Sequence, residues 1–391
     1  VPVELAAQAS DPAPDPVQAV QDPLVATQIV APPGGLRVLR LPHGASPLVA
    51  LRLFVPIQET PAEAGSGWIL ARMARERISE AARRLGAEVE VTRTPDGIAY
   101  AVSGPLSDFD YLSYLLRVAT EEPEARQIES VQRELDDALD RLTETGSGQT
   151  ELGLRTRLGA IPTYGTPASV AQLSAARVLD LWSRSHRTDR MTLIVLGPVE
   201  RPLLLASTVG LGSSDPTIPP VLDAPLNALE LPRIDILRRY AGRAWSAPEA
   251  IDPQMAVLSR IAGELVRAEA GDFEAQVQLW ETAGGSVLAV TGASFPVRFG
   301  ELERVLDGLP AALGRALTPE GVARVATQLS GDVLAQANTP LGRVQLVGRF
   351  MDAWGTPDSA RRYLDRLATM QVADLLDLIE GLGPAAAVTV R

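Results

Sequence analysis

The 391 residues contain no cysteine and no lysine, and only two histidines, His43 and His186. Without cysteine the chain has no disulfide, no thiolate zinc site, no thiol catalysis and no lipid carried on a thiol. A serine-based triad would need one of the two imidazoles, and no G-x-S-x-G motif occurs. His43 precedes the turn at Gly44 and reads as a turn residue. His186 closes a predicted helix, where a cation is favoured by the helix dipole, and it too reads as structural. No apolar run reaches the roughly 18 residues that a membrane-spanning helix needs. The formal net charge of -12 argues against a nucleic-acid partner and against a basic membrane-surface patch. The glycine-rich GLGSS at 210–214 lacks the GK[ST] ending of a phosphate loop and reads as linker.

What is present describes a globular chain, 46% hydrophobic with a mean hydropathy near zero and long enough for two or three domains. All 36 basic residues are arginine, which suits bidentate pairing with carboxylates of a protein partner. The chain starts at Val1 and runs through AAQAS into DPAPDPVQAVQDP. This reads as a disordered lead-in over 1–33 of an exported protein of the periplasm or cell envelope, its signal peptide removed.

From residue 34 the pattern predicts strands at 36–42, 48–57, 87–93 and 97–104, with a hairpin turn over Thr94-Pro95-Asp96-Gly97. Helices are expected at 64–84, 107–120, 123–142, 148–159 and 168–186, and a strand at 190–197. A Pro/Gly/Ser/Asp-rich linker at 210–232 divides a first domain, 34–209, from a second, 233–391. The second repeats the order: a strand at 234–243, a helix at 252–269, a short helix at 272–283 and a strand at 285–293. Helices at 297–315, 318–336, 338–353, 357–367 and 371–381 follow, then the terminal strand AAAVTVR. Both halves close on an apolar strand after a long helical region, MTLIVLGPV and AAAVTVR, which favours a duplicated α+β unit.

The stretch AGSGWILARM, Ala64 to Met73, follows the apolar LVALRLFVPI and opens a helix that presents Trp68, Ala71 and Arg72 on one face. Together with LRVLRLPHGASPLVALRLFVPI, LGAEVEVTRTPDGIAYAV, IPTYGTPASVAQLSAARVLDLW and MTLIVLGPVE, in that order, it resembles the insulinase, pitrilysin and mitochondrial processing peptidase family. The likeness is to the short bacterial form with two homologous domains, each a mainly antiparallel sheet packed with helices. Active members carry H-x-x-E-H on this helix: two imidazoles four apart bind zinc and the glutamate acts as general base. By that resemblance Trp68 and Arg72 stand where the histidines would be and Ala71 where the base would be. A more distant pair of glutamates seven apart, the first ligating the metal and the second supporting it, falls on Gln127 and Glu134, with Glu129 an alternative by a turn and a solvated helix face the plain reading.

In the second half the family's substrate-holding Arg and Tyr correspond to Trp280 and Ser286 in LWETAGGSVLAV, and no Arg or Tyr occurs between Ala270 and Val297. Trp68 and Trp280 read either as core residues or as indoles filling the space that metal and peptide take in active relatives, and Trp68, Arg72, Trp280 and Ser286 are the candidate cavity or substrate-contact positions. The resemblance implies a non-enzymatic pseudopeptidase without metal or cofactor, paired as a heterodimer with a zinc-bearing homologous subunit that processes short, unfolded peptides. Two readings stand beside it: a structural or scaffolding binding protein of a cell-envelope assembly, and a metalloprotease in its own right.

Overall fold

The computed structural model describes residues 22–29, 35–43, 46–160, 162–197, 229–231, 237–269, 273–282 and 285–390. The greater part of the expected linker lies outside them. The first half runs β1 (Thr27–Ile29), β2 (Arg37–Leu41), β3 (Leu48–Pro56), α1 (Ser66–Arg84), β4 (Glu88–Thr94) and β5 (Gly97–Pro105). It continues through α2 (Phe109–Ala119), α3 (Ala125–Thr143), α4 (Gly146–Arg157), α5 (Pro167–Val170) and α6 (Ala175–Ser185) to β6 (Thr192–Leu196). The second comprises β7 (Leu229–Leu231), β8 (Arg239–Ala247), α7 (Pro253–Glu269), β9 (Glu274–Thr282), β10 (Gly285–Ser294), α8 (Phe299–Asp307) and α9 (Leu309–Ala316). After these come α10 (Pro319–Gln336), α11 (Pro340–Trp354), α12 (Ser359–Thr369), α13 (Val372–Gly381) and β11 (Ala386–Val390).

The strand orders carry the duplication. The first sheet is β1-β2-β6-β3-β5-β4 and the second β7-β11-β8-β10-β9, so that without β1 the two orders correspond strand for strand. All pairings are antiparallel except β2 with β6 and β7 with β11, which are the equivalent pair in each half. The fold is α+β, two mainly antiparallel sheets each packed with its own helices.

Four expectations need correction. The strand expected at 234–243 is β8, at Arg239–Ala247, and a strand before it, β7, falls within the stretch read as linker. The short helix expected at 272–283 is β9: Ala275, Val277 and Leu279 reach the second-half core at every second position, the period of a strand, and β9 pairs in register with β10. The helix expected at 168–186 is two, because Ser174 accepts a bond from the Arg177 amide and starts α6 afresh. The helix at 297–315 likewise breaks, with a proline in the first turn of α9.

The lead-in is also shorter than 1–33. Leu24 and Ala26 are buried in the second-half core, the Ala26 amide donates to the Pro357 carbonyl at 3.1 Å, and Asp22 pairs with Arg361 at 3.6 Å. The next residues form β1 on the first sheet, so this strap belongs to both halves.

Each sheet has one face on its own helices and one on a helix borrowed from the other half. In β3, Leu51, Leu53 and Val55 pack with Ile69, Met73 and Ile78 of α1 and with Leu112 and Leu116 of α2. The opposite face offers Ala50 with Leu39, Leu41, Ile194 and Leu196, which join Val344, Val347 and Met351 of α11. Reciprocally, Leu154 of α4 packs with Ala244, Trp280, Val287, Ala289, Ala386 and Val388 of the second sheet. Removing such apolar surface from water contributes about 25 cal/mol per Å², so the exchange of α4 and α11 binds the halves to each other.

Candidate functional site

The start of α1 is built by a loop that only glycine closes. Gly65 has φ 102°, in the left-handed region, and a Cβ there would come 3.1 Å from the Tyr164 carbonyl oxygen. The amide of Gly67 donates to Glu59 at 2.6 Å, and Arg93 of β4 holds the other carboxylate oxygen at 2.9 Å. A carboxylate at a helix N-terminus is favourably placed against the helix dipole, and here it is buried with its arginine.

From that start α1 turns Ile69, Leu70, Met73 and Ala74 into the core. Ala71 is buried with them, Trp68 is half-buried against the same cluster, and Arg72 reaches outward. Its guanidinium lies 2.8 Å from Glu76 and 3.5 Å from Glu134 of α3. Helix α3 buries Ile128, Val131, Leu135 and Leu139 as one stripe and leaves Gln127, Glu129 and Glu134 exposed. The structure therefore brings Arg72 and Glu134 together across two helices. These side chains do not fit zinc: indole has no suitable lone pair, alanine no donor, and guanidinium is a permanent cation already engaging Glu76 and Glu134. Among the described residues no three His, Asp or Glu side chains gather as a metal-binding set.

Trp280 lies elsewhere, on the face of β9 turned to α4. The Arg155 guanidinium carbon stands 4.1 Å from the ring centre, the indole Nε1 donates to Gln278 at 2.7 Å, and Arg155 itself is held by Glu151 at 2.9 Å. Trp68 belongs to the first-half cluster and Trp280 to the seam between halves. Ser286 is fully buried: its hydroxyl accepts from the Asp252 amide and donates to the Glu249 carbonyl. It fixes a loop and is closed to any substrate, contrary to the reading that gave it a contact role.

Comparison with solved structures bears on this arrangement. A protease from Helicobacter pylori superposes with a TM-score of 0.76 at 11% identity, over 94% of this chain and 99% of that one. A peptidase M16 inactive domain from Pseudomonas fluorescens gives 0.76 and 11% as well, over 93% and 97%. This chain shares their fold. No protein-family model and no curated protein matches the sequence.

Within this peptidase-like fold the two histidines are structural. His43 Nε2 is bonded to the Leu48 carbonyl at 2.8 Å. His186 is buried, stacked on Trp182, with Nε2 2.9 Å from the Tyr100 hydroxyl and Nδ1 3.0 Å from Ser185 Oγ. The Ser185 hydroxyl donates to the Leu181 carbonyl, so Nδ1–H donates to Ser185 and Tyr100 donates to Nε2. Burial pushes the His186 pKa down to about 3, and the ring is neutral where a helix-end cation was expected.

One polar cluster was missed by sequence reasoning. Arg52, in the middle of β3, is buried and donates to Gln345 at 3.0 Å and to both carboxylate oxygens of Asp352, both on α11. Gly348 makes room: a Cβ there would come 2.4 Å from the guanidinium. The readable signal was a charge inside nine otherwise uncharged strand residues. Beside this pair lies a small cleft between the halves, lined by Thr94, Asp96, Ile251, Glu281, Arg349 and Asp352. Ile251 has φ 53°, a left-handed conformation rare for a β-branched residue. Flanking bonds hold it, from Trp354 to the Ala250 carbonyl and between Ser286 and the Asp252 amide.

Proposed function

We propose that this chain is a catalytically silent homologue of the insulinase-like peptidases, acting as the non-catalytic subunit beside a zinc-bearing homologue in a peptide-processing or peptide-degrading complex. The observation that carries the reading is the Arg72–Glu134 pair: a guanidinium engages the carboxylate on the helix face where the sequence resemblance puts the metal motif. The fold shared with an M16 inactive domain supports it. Substrate handling falls to the outer strand of the first sheet. β4 pairs on one side only among the described residues and exposes Glu88 and Glu90, suited to extended peptides with basic side chains.

The test is purification of the native protein from its own cells, with mass spectrometry of the bound chains and metal analysis of the eluate. A near-equimolar homologue that carries H-x-x-E-H and zinc is expected. A metal-free complex of unrelated envelope proteins would make the chain a scaffold with a peptidase's shape, and zinc bound stoichiometrically by the isolated chain would overturn the silent reading.

A further inference from the structure

We propose that the cleft between the β4–β5 turn and α11 is a proton-operated latch, which holds the two halves together when Asp96 is protonated and eases them apart when it is ionised. The argument starts from charge pairing. Three cations face the cleft or stand directly behind it, and each is already committed. Arg52 of β3 is bound to Asp352 of α11, Arg93 of β4 to Glu59, and Arg349 of α11 to Glu281 of β9. These three cations meet four carboxylates. The fourth is Asp96, whose side chain has no ion pair or hydrogen bond among the described residues.

Asp96 stands at the tip of a first-half hairpin, facing a second-half helix. An ionised Asp96 therefore adds one uncompensated negative charge to a small, partly buried space beside Asp352, and across the boundary between the halves. A protonated Asp96 leaves the cleft neutral and able to donate a hydrogen bond. Burial first, then the Asp352 carboxylate, raise the Asp96 pKa to about 6, with Arg93 opposing. The sign follows: an acid whose pKa is raised in the closed state favours closure below its ordinary value of about 4, and that advantage is lost as pH rises through about 6. Ile251, held in the left-handed region, lies on the second-half wall of the same cleft, so that opening would relieve its backbone strain.

Other groups titrate nearby. Burial also raises Asp352 and Asp252, while His186, remote from the cleft, titrates in the opposite sense. The test therefore compares the full chain with its Asp96→Asn variant. Amide hydrogen exchange, corrected for intrinsic rates, is followed between pH 5 and 7.5 at the Ile57 amide, which donates to the Asp96 carbonyl at 2.9 Å, and along residues 345–353. The wild type is expected to open about tenfold more readily at the higher pH than at the lower, and Asp96→Asn to lose that increment and stay closed throughout. Asp96→Ala should lose it as well, which serves should the amide variant fold poorly. An unchanged pH slope in either variant, or a wild type with no slope, would overturn the latch.

Discussion

Arg155 of α4 stacks on Trp280 of β9 at 4.1 Å from the ring centre, joining a cation of the first half to an aromatic ring of the second. The ring is almost wholly buried and fills the seam with Leu154. Trp280→Ala should cost about 3–5 kcal/mol and Arg155→Gln about 0.5–2 kcal/mol in denaturant unfolding. The double variant should show coupling, and strict additivity would mean that the stack contributes nothing.

Arg52→Met should be among the most damaging single changes, at about 3–5 kcal/mol, because it leaves Asp352 and Gln345 buried without their donor. Adding Asp352→Leu should recover most of that loss. Thermal unfolding of both variants checks this, and a double variant no better than the single would show that the pair's packing matters more than its charge.

Acid should destabilise the chain through His186. Its folded pKa of about 3 lies below the unfolded value of 6.5, so its contribution is complete above pH 6.5 and is lost as pH falls toward 3. At pH 4 the loss should be about 3 kcal/mol. His186→Gln should be less stable at neutral pH and have a flatter profile in urea titrations between pH 4 and 7. An unchanged slope would place the acid sensitivity elsewhere.

If the face of α1 is a degenerate metal site, restoring it should restore a ligand set. A variant combining Trp68→His, Ala71→Glu and Arg72→His offers two imidazoles four apart and releases Glu134, which the structure sets beside position 72 although the resemblance gave the ligating position to Gln127, so that three protein ligands are available. One equivalent of zinc is expected in a chromophoric chelator competition, and none for the wild type. A folded triple variant that binds no zinc would remove the assignment of these positions.

The order of strands and helices was legible because β3 and β5 are buried along almost their whole length and read as continuous strand runs, while α2 and α3 keep buried stripes at the helical period. β9 was legible too, since Ala275, Val277 and Leu279 alternate with Glu274, Gln276 and Gln278 at the period of a strand, but the helix-favouring glutamine and glutamate masked that alternation. The helix face of Trp68, Ala71 and Arg72 was readable, and the closeness of Arg72 to Glu134 followed once α1 and α3 were packed. The exchange of α4 and α11 was hidden for a physical reason. Periodicity reveals that a helix has a face to bury, and it carries no information on whose sheet that face will cover. Asp96 escaped for the same reason, as its surroundings come from residues more than 150 positions later in the chain.

The strap at Asp22–Ile29 has a consequence for synthesis. It is made long before the residues on which it docks, since the Pro357 carbonyl that receives the Ala26 amide and the Arg361 that pairs with Asp22 lie far later in the chain. The outer face of the first sheet likewise waits for α11, and Arg52 waits for Asp352. For most of translation the first half therefore presents a bare apolar sheet face with an arginine at its centre. Such a surface invites chaperones or wrong partners, and the two halves close on each other only once α11 and the Pro357 carbonyl that receives the strap have been made.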